Sequence, residues 1–184
     1  MGIGAYRWYR PPFGNKGRNR GEAEGGMAKL GKTPRVVDEE KFYEDFPRLK
    51  GNKKFRPTSL ATPVYNCIAY AAGENTRPWW PYPFPLRPYY WPNGCPREET
   101  VDAFITAFKT LGYEVCADGS FERGKQKVAI FVSENAVTHM ARQVPSLKKW
   151  KSKFGWNIDG EHELEDLDES IYGTVAAFMT KASR

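Results

Sequence analysis

Histidine and cysteine are scarce in this chain, with two histidines (His139, His162) and three cysteines (Cys67, Cys95, Cys116) among 184 residues. An odd cysteine count without Cys-x-x-Cys spacing argues against a disulfide framework or a zinc knuckle, and two histidines far apart supply no metal-ligand spacing. Long apolar runs are also missing. Nothing approaches the roughly 20 residues of a spanning helix, and the N-terminus lacks the apolar segment of a signal peptide. The expectation is a soluble protein without membrane span, metal or cofactor. Its thiols are reduced, and it resides in the cytoplasm or is exported without a cleaved signal peptide.

A net charge of +6 raises the question of nucleic acid, but the excess sits in one place. Residues 1–35 carry eight basic and two acidic residues, and the remainder balances at twenty of each. This stretch also holds eight of the 17 glycines and few aliphatics, so burial cannot offset its ordering entropy. It reads as a disordered basic tail ahead of a single domain over 36–184. Tyr6, Trp8, Tyr9 and Phe13 among arginines suit weak contact with single-stranded nucleic acid or another polyanion, and a solvated linker has the same composition.

Within the domain, Asp38 can cap a helix ending before Pro47, with Phe42, Tyr43 and Phe46 along one edge. Asn66-Cys67-Ile68-Ala69-Tyr70-Ala71-Ala72-Gly73 reads as a short helix with Asn66 as N-cap and Gly73 at its end. A thiol in a helix's first turn feels the positive end of the dipole, which favours thiolate. A small buried hydrophobe also suits that position. Between residues 78 and 92, six prolines alternate with Trp79, Trp80, Tyr82, Phe84, Tyr89, Tyr90 and Trp91. So many prolines forbid a helix or central strand and predict an extended loop. Either Trp79, Trp80, Tyr90 and Trp91 line a groove for a peptide or sugar, or the loop wraps its own domain and buries its rings. A noncatalytic binding module would use this loop as its surface. Pro96 at the first position, then Val101, Phe104, Ile105 and Phe108, predict an amphipathic covering helix that stops at Gly112.

From Lys127 the apolar period switches to two, and three strands, 127–133, 137–143 and 148–154, form an antiparallel meander. Counting across the turns sets Phe131 and Ser152 opposite His139, on one face of the sheet. Residues 161–170 read as an acidic helix in which His162 is solvated or capping, and 172–180 as a last strand. The fold class is α+β: a helix bearing Cys67 and a covering helix packed on an antiparallel sheet.

That order resembles the papain-like thiol hydrolases, including the compact cell-wall peptidases. The pieces Tyr65–Ala71, Pro96–Thr100, Thr138–Gln143 and Trp150–Gly155 are also similar to an uncharacterised bacterial domain family, over roughly residues 40–180. The papain-like resemblance implies Cys67 as nucleophile, His139 as general base and Ser152 as the residue that orients the imidazole. Asn157 or Asp159 are alternatives for the third role, and His162 for the base. Helix-start N–H groups with Asn66 would receive the oxyanion. The implied activity is that of a peptidase, amidase or deamidase acting on a peptide, protein or peptidoglycan-like acyl compound. A structural reading stands beside it, in which His139 hydrogen-bonds Ser152 inside the core.

Overall fold

A computed structural model describes residues 33–144 and 148–183, so the basic-tail expectation falls almost wholly outside the described residues. Pro34–Arg184 form one compact unit. The helices are α1 (Glu39–Asp45), α2 (Cys67–Ala72) and α3 (Val101–Lys109). The strands are β1 (Arg56–Pro57), β2 (Glu114–Cys116), β3 (Lys125–Ser133), β4 (Ala136–Val144), β5 (Lys149–Lys153), β6 (Asp159–His162) and β7 (Thr174–Ala182). Among the described residues all seven strands join one antiparallel sheet in the order β1-β6-β5-β4-β3-β7-β2, and the domain is α+β as expected. Among the described residues no helix is long and apolar enough to cross a membrane.

Both faces of the sheet are covered. Val128, Ile130 and Met140 point to the side of α2 and α3, where Ile68, Phe104 and Phe108 are fully buried. Their immediate neighbours Ala129, Phe131 and Ala141 point to the other side, against Phe42, Phe46 and Tyr172. This is why β3 reads Val-Ala-Ile-Phe-Val, an apolar run without a polar face. Each buried Phe or Ile contributes about 2 kcal/mol from the water it leaves.

The β3–β4 hairpin turns on Glu134 and Asn135, both at positive φ, and a bulge between Phe131 and Val132 restores the count so that Phe131 faces His139. Across the next turn the expected register is corrected. Gln143 pairs with Trp150 rather than Lys148, a shift of two residues, which preserves the faces and changes the partners. The covering helix is also shorter than expected. Thr100 caps it, because the preceding residues are engaged elsewhere: the Glu99 carbonyl accepts from Val137 N at 2.9 Å and the Pro96 carbonyl from Trp91 Nε1 at 2.9 Å. The acidic helix expected over 161–170 is replaced by the end of β6 and a 3₁₀ turn, Leu164–Leu167, because Glu161 and His162 pair with β5.

The Pro/aromatic loop wraps the domain. Trp79 and Trp91 are 4% and 2% exposed, so the four-ring groove does not form. Trp80 and Tyr90 are half-buried, the first donating from Nε1 to Glu99 Oε1 at 3.1 Å and the second packed 4.7 Å from Trp79. Asn66 ties this loop to α2. Its Oδ1 accepts from Ala69 N and Trp79 N at 3.1 Å each, and its Nδ2 donates to the Trp79 carbonyl at 2.7 Å. Both ends of the amide are therefore occupied, as an N-cap for α2 and as a clamp on the loop. Asn66→Ala should cost about 3 kcal/mol in urea unfolding, combining a lost cap with unpaired buried groups at Trp79, whereas a loss under about 1 kcal/mol would refute the clamp.

Candidate functional site

Successive residues of a strand point to opposite faces, and β5 distributes its polar side chains accordingly. Trp150 and Ser152 face the α1 side, while Lys151 and Lys153 face α2. Two separate polar clusters result, one on each side of the sheet.

On the α1 side Ser152 Oγ lies 2.8 Å from His139 Nε2 and 2.9 Å from His162 Nε2, and all three residues are sealed from solvent. The proton positions follow from the partners. His162 Nδ1 is 2.6 Å from the Glu163 carbonyl, which only accepts, so Nδ1 carries the proton and Nε2 must accept from the Ser152 hydroxyl. Ser152 then accepts from His139 Nε2–H, which leaves His139 Nδ1 as a lone-pair acceptor without a partner among the described residues. His139 stacks on Tyr172 at 3.8 Å and sits edge-on to Phe131 at 5.5 Å. Burial, then the neighbouring His162, hold His139 well below the usual imidazole range. Burial also takes His162 down to about 4, against the opposing pull of the Glu163 carbonyl and nearby carboxylates.

On the α2 side lies the thiol. Cys67 is the first residue of α2, 8% exposed, packed among the residues that include Met140 and Ile68. Burial raises its pKa to about 11, opposed by the N–H groups of Met140, Ile68 and Cys67 itself and by the Lys153 ammonium. Lys153 is fully buried. Its Nζ donates to the Asn157 carbonyl and rides 5.1 Å above the Tyr65 ring. Burial lowers the amine to about 8, although Asp159 and Cys67 pull the other way. Asp159 faces Lys153 directly across the β5–β6 ladder. Its Oδ2 accepts from the Tyr65 hydroxyl at 2.8 Å, and its buried Oδ1 has no hydrogen-bond partner among the described residues. Burial pushes that carboxyl upward, and Tyr65 and Lys153 hold it back.

The structure thus brings Ser152 to His139, diagonally rather than directly opposite, and no hydrogen bond joins His139 to Cys67 among the described residues. The sulfur packs with the α2-side residues and lies at the N–H of Met140, while the His139 imidazole packs with Phe131 and Tyr172. His162 is buried and belongs to the same relay rather than to solvent. Asn157 spends its side chain on Val37 and on its neighbour Ile158. The reading from sequence missed Lys153, and the signal was present. In Lys151-Ser152-Lys153 the two lysines share a face that the serine does not. No group of three or more His, Cys, Asp or Glu residues suited to a metal ion occurs among the described residues.

An α+β domain with a covered seven-stranded antiparallel sheet is the class that this architecture defines. The family model described as "Domain of unknown function (DUF7689)" matches residues 56–180, from β1 into β7 and including both polar clusters, and the chain belongs to that family. Neither the curated proteins nor the solved structures contain a match.

The buried imidazoles make stability depend on pH. Their folded pKa values lie below the ordinary 6.5, so between 6.5 and about 4 the unfolded chain binds more protons. Stability from this source is complete above pH 6.5 and drains as pH falls. His162 alone should account for about 3 kcal/mol of loss by pH 4 in urea unfolding. His162→Gln should flatten that slope, and an unchanged slope would contradict the assignment.

Proposed function

We propose that the domain is a cysteine-dependent acyl hydrolase or transferase in which Cys67 is the nucleophile and Lys153, in place of the expected His139, is the general base. Asp159 takes the orienting role, held by Tyr65. The observation that carries this reading is the shared face. Thiol, amine and carboxylate all lie on the α2 side of the sheet, with the amine in surroundings that bring its pKa to about 8. An amine so placed has a neutral fraction near physiological pH and can act as a base.

In the proposed step neutral Lys153 takes the thiol proton and the sulfur attacks an acyl or carboxamide carbon. The developing oxyanion is met by N–H groups of the α2 first turn. Collapse breaks the bond to the leaving group, which receives the proton from the Lys153 ammonium, and water or an acceptor amine then cleaves the thioester. The resemblance to papain-like hydrolases and cell-wall peptidases enters at this level: a helix-start cysteine above an antiparallel sheet that supplies the base. Peptide, protein and peptidoglycan-like acyl compounds are the substrate class that goes with it.

A second reading rests on a different feature. Residues 83–88 of the proline loop are exposed, with Phe84 at 60% and Leu86 at 39%, an apolar tip on a base bolted through Asn66. That arrangement suits a noncatalytic binding module. Iodoacetamide labelling of the folded chain, read site by site, separates the two. The enzyme reading expects Cys67 to alkylate with a rise centred near pH 8. Lys153→Met, a substitution of similar shape, should slow it by at least about tenfold, with Cys95 and Cys116 unaffected. An unchanged Cys67 profile in Lys153→Met overturns the assignment.

A further inference from the structure

One row of side chains across the α2 face is electrostatically unbalanced. Arg142 on β4 pairs with Lys151 on β5, Lys151 with Glu161 on β6, and Glu161 with Arg56 on β1. Directly opposed residues share a face, so three cations and one carboxylate stand side by side. Glu161 is already engaged twice. Its Oε2 and Oε1 accept from Arg56 Nε and Nη2 at 3.0 and 2.9 Å, and Oε1 lies 3.1 Å from Lys151 Nζ. It is 4% exposed at the side chain, and the Arg56 hydrogen bond leads in holding its pKa low, so it is a spent anion.

Arg142 has no carboxylate partner among the described residues, and its side chain hydrogen-bonds Tyr70. Its guanidinium lies 4.8 Å from the Tyr70 ring centroid, with Nη1 beside Gly73. It is half-buried, directly opposite a second cation whose side chain is 22% exposed. Like charges facing each other across a ladder repel, and a planar guanidinium matches a carboxylate through two parallel hydrogen bonds.

We propose that Arg142 and Lys151 form an anion subsite that binds a carboxylate of the ligand. The row is two residues along each strand from the Lys153–Asp159 pair, a step of about 7 Å. Resting on the Cys67 reading, this makes the substrate an acyl compound bearing a carboxylate a few bonds from the carbonyl under attack. That carboxylate comes from a small diacid or from a peptide end, and the same two side chains serve both.

The test uses the full chain carrying Cys67→Ala, so that binding is read without chemistry and its outcome is independent of the nucleophile assignment. Three probes are titrated while the backbone amide resonances of residues 142 and 151 are followed by NMR: glutarate, N-acetyl-Ala-Ala with its free carboxylate, and neutral N-acetyl-Ala-Ala amide. Saturable binding of either carboxylate, absent for the amide and weakened at least about tenfold in both Arg142→Gln and Lys151→Gln, supports the subsite. A preference for glutarate or for the peptide assigns the source. Equal binding of the neutral amide, no binding of either carboxylate, or full affinity in both variants overturns it.

Discussion

Residues 152 and 153 are neighbours on one strand and point to opposite sides of it, and that alternation decides which polar groups of this domain can meet. Ser152 faces the histidines and joins His139 to His162. Lys153 faces α2 and lies on the thiol's side, opposite Asp159. A sheet covered on both faces turns a one-residue step into a change of compartment. The imidazole of His139 packs with Phe131 and Tyr172 and the thiol with the α2-side core, where the sulfur reaches the N–H of Met140, the next residue along β4.

The two clusters differ in what they can do. The His139–Ser152–His162 relay is neutral, directional and nearly satisfied, and it stitches β4, β5 and β6 beneath the rings of Phe131 and Tyr172. Its groups are held away from protonation by burial, which suits a structural role. The α2 cluster is different. It keeps an amine, a carboxyl and a thiol out of water with one carboxylate oxygen unpartnered among the described residues and an unbalanced cationic row next to it. Desolvated ionisable groups with so few partners are costly to retain, and function is a common reason to retain them. Asn66 connects this cluster to the rest of the domain, since the same amide starts the cysteine helix and fastens Trp79.

Much of this was legible beforehand. Asn66, Cys67 and Gly73 carry complete helix signals, and counting across the Glu134-Asn135 turn gives the hairpin and the Phe131–His139 pairing. The contact between His139 and Ser152 was also foreseen, although the register differs by two, because a slip of two keeps both side chains on one face. What was hidden is the side to which α2 packs. β3 is apolar on both faces, so nothing in its own pattern distinguishes them. Residue type does not mark Lys153, because lysine is normally solvated, and its burial with Asp159 depends on β6, whose Glu161 and His162 read as the start of an acidic helix. The rings at 79 and 91 became core because Asn66 and Pro96 draw the loop inward, a tertiary effect with no local signature.

The central claim is that Lys153 is sealed beside the cysteine helix as an amine poised to give up its proton. Its side-chain titration, followed through the ε-carbon resonance in the intact chain, reads this directly. A midpoint near 8 is expected. A midpoint near the ordinary lysine value of about 10.4 would place the amine in water and contradict it.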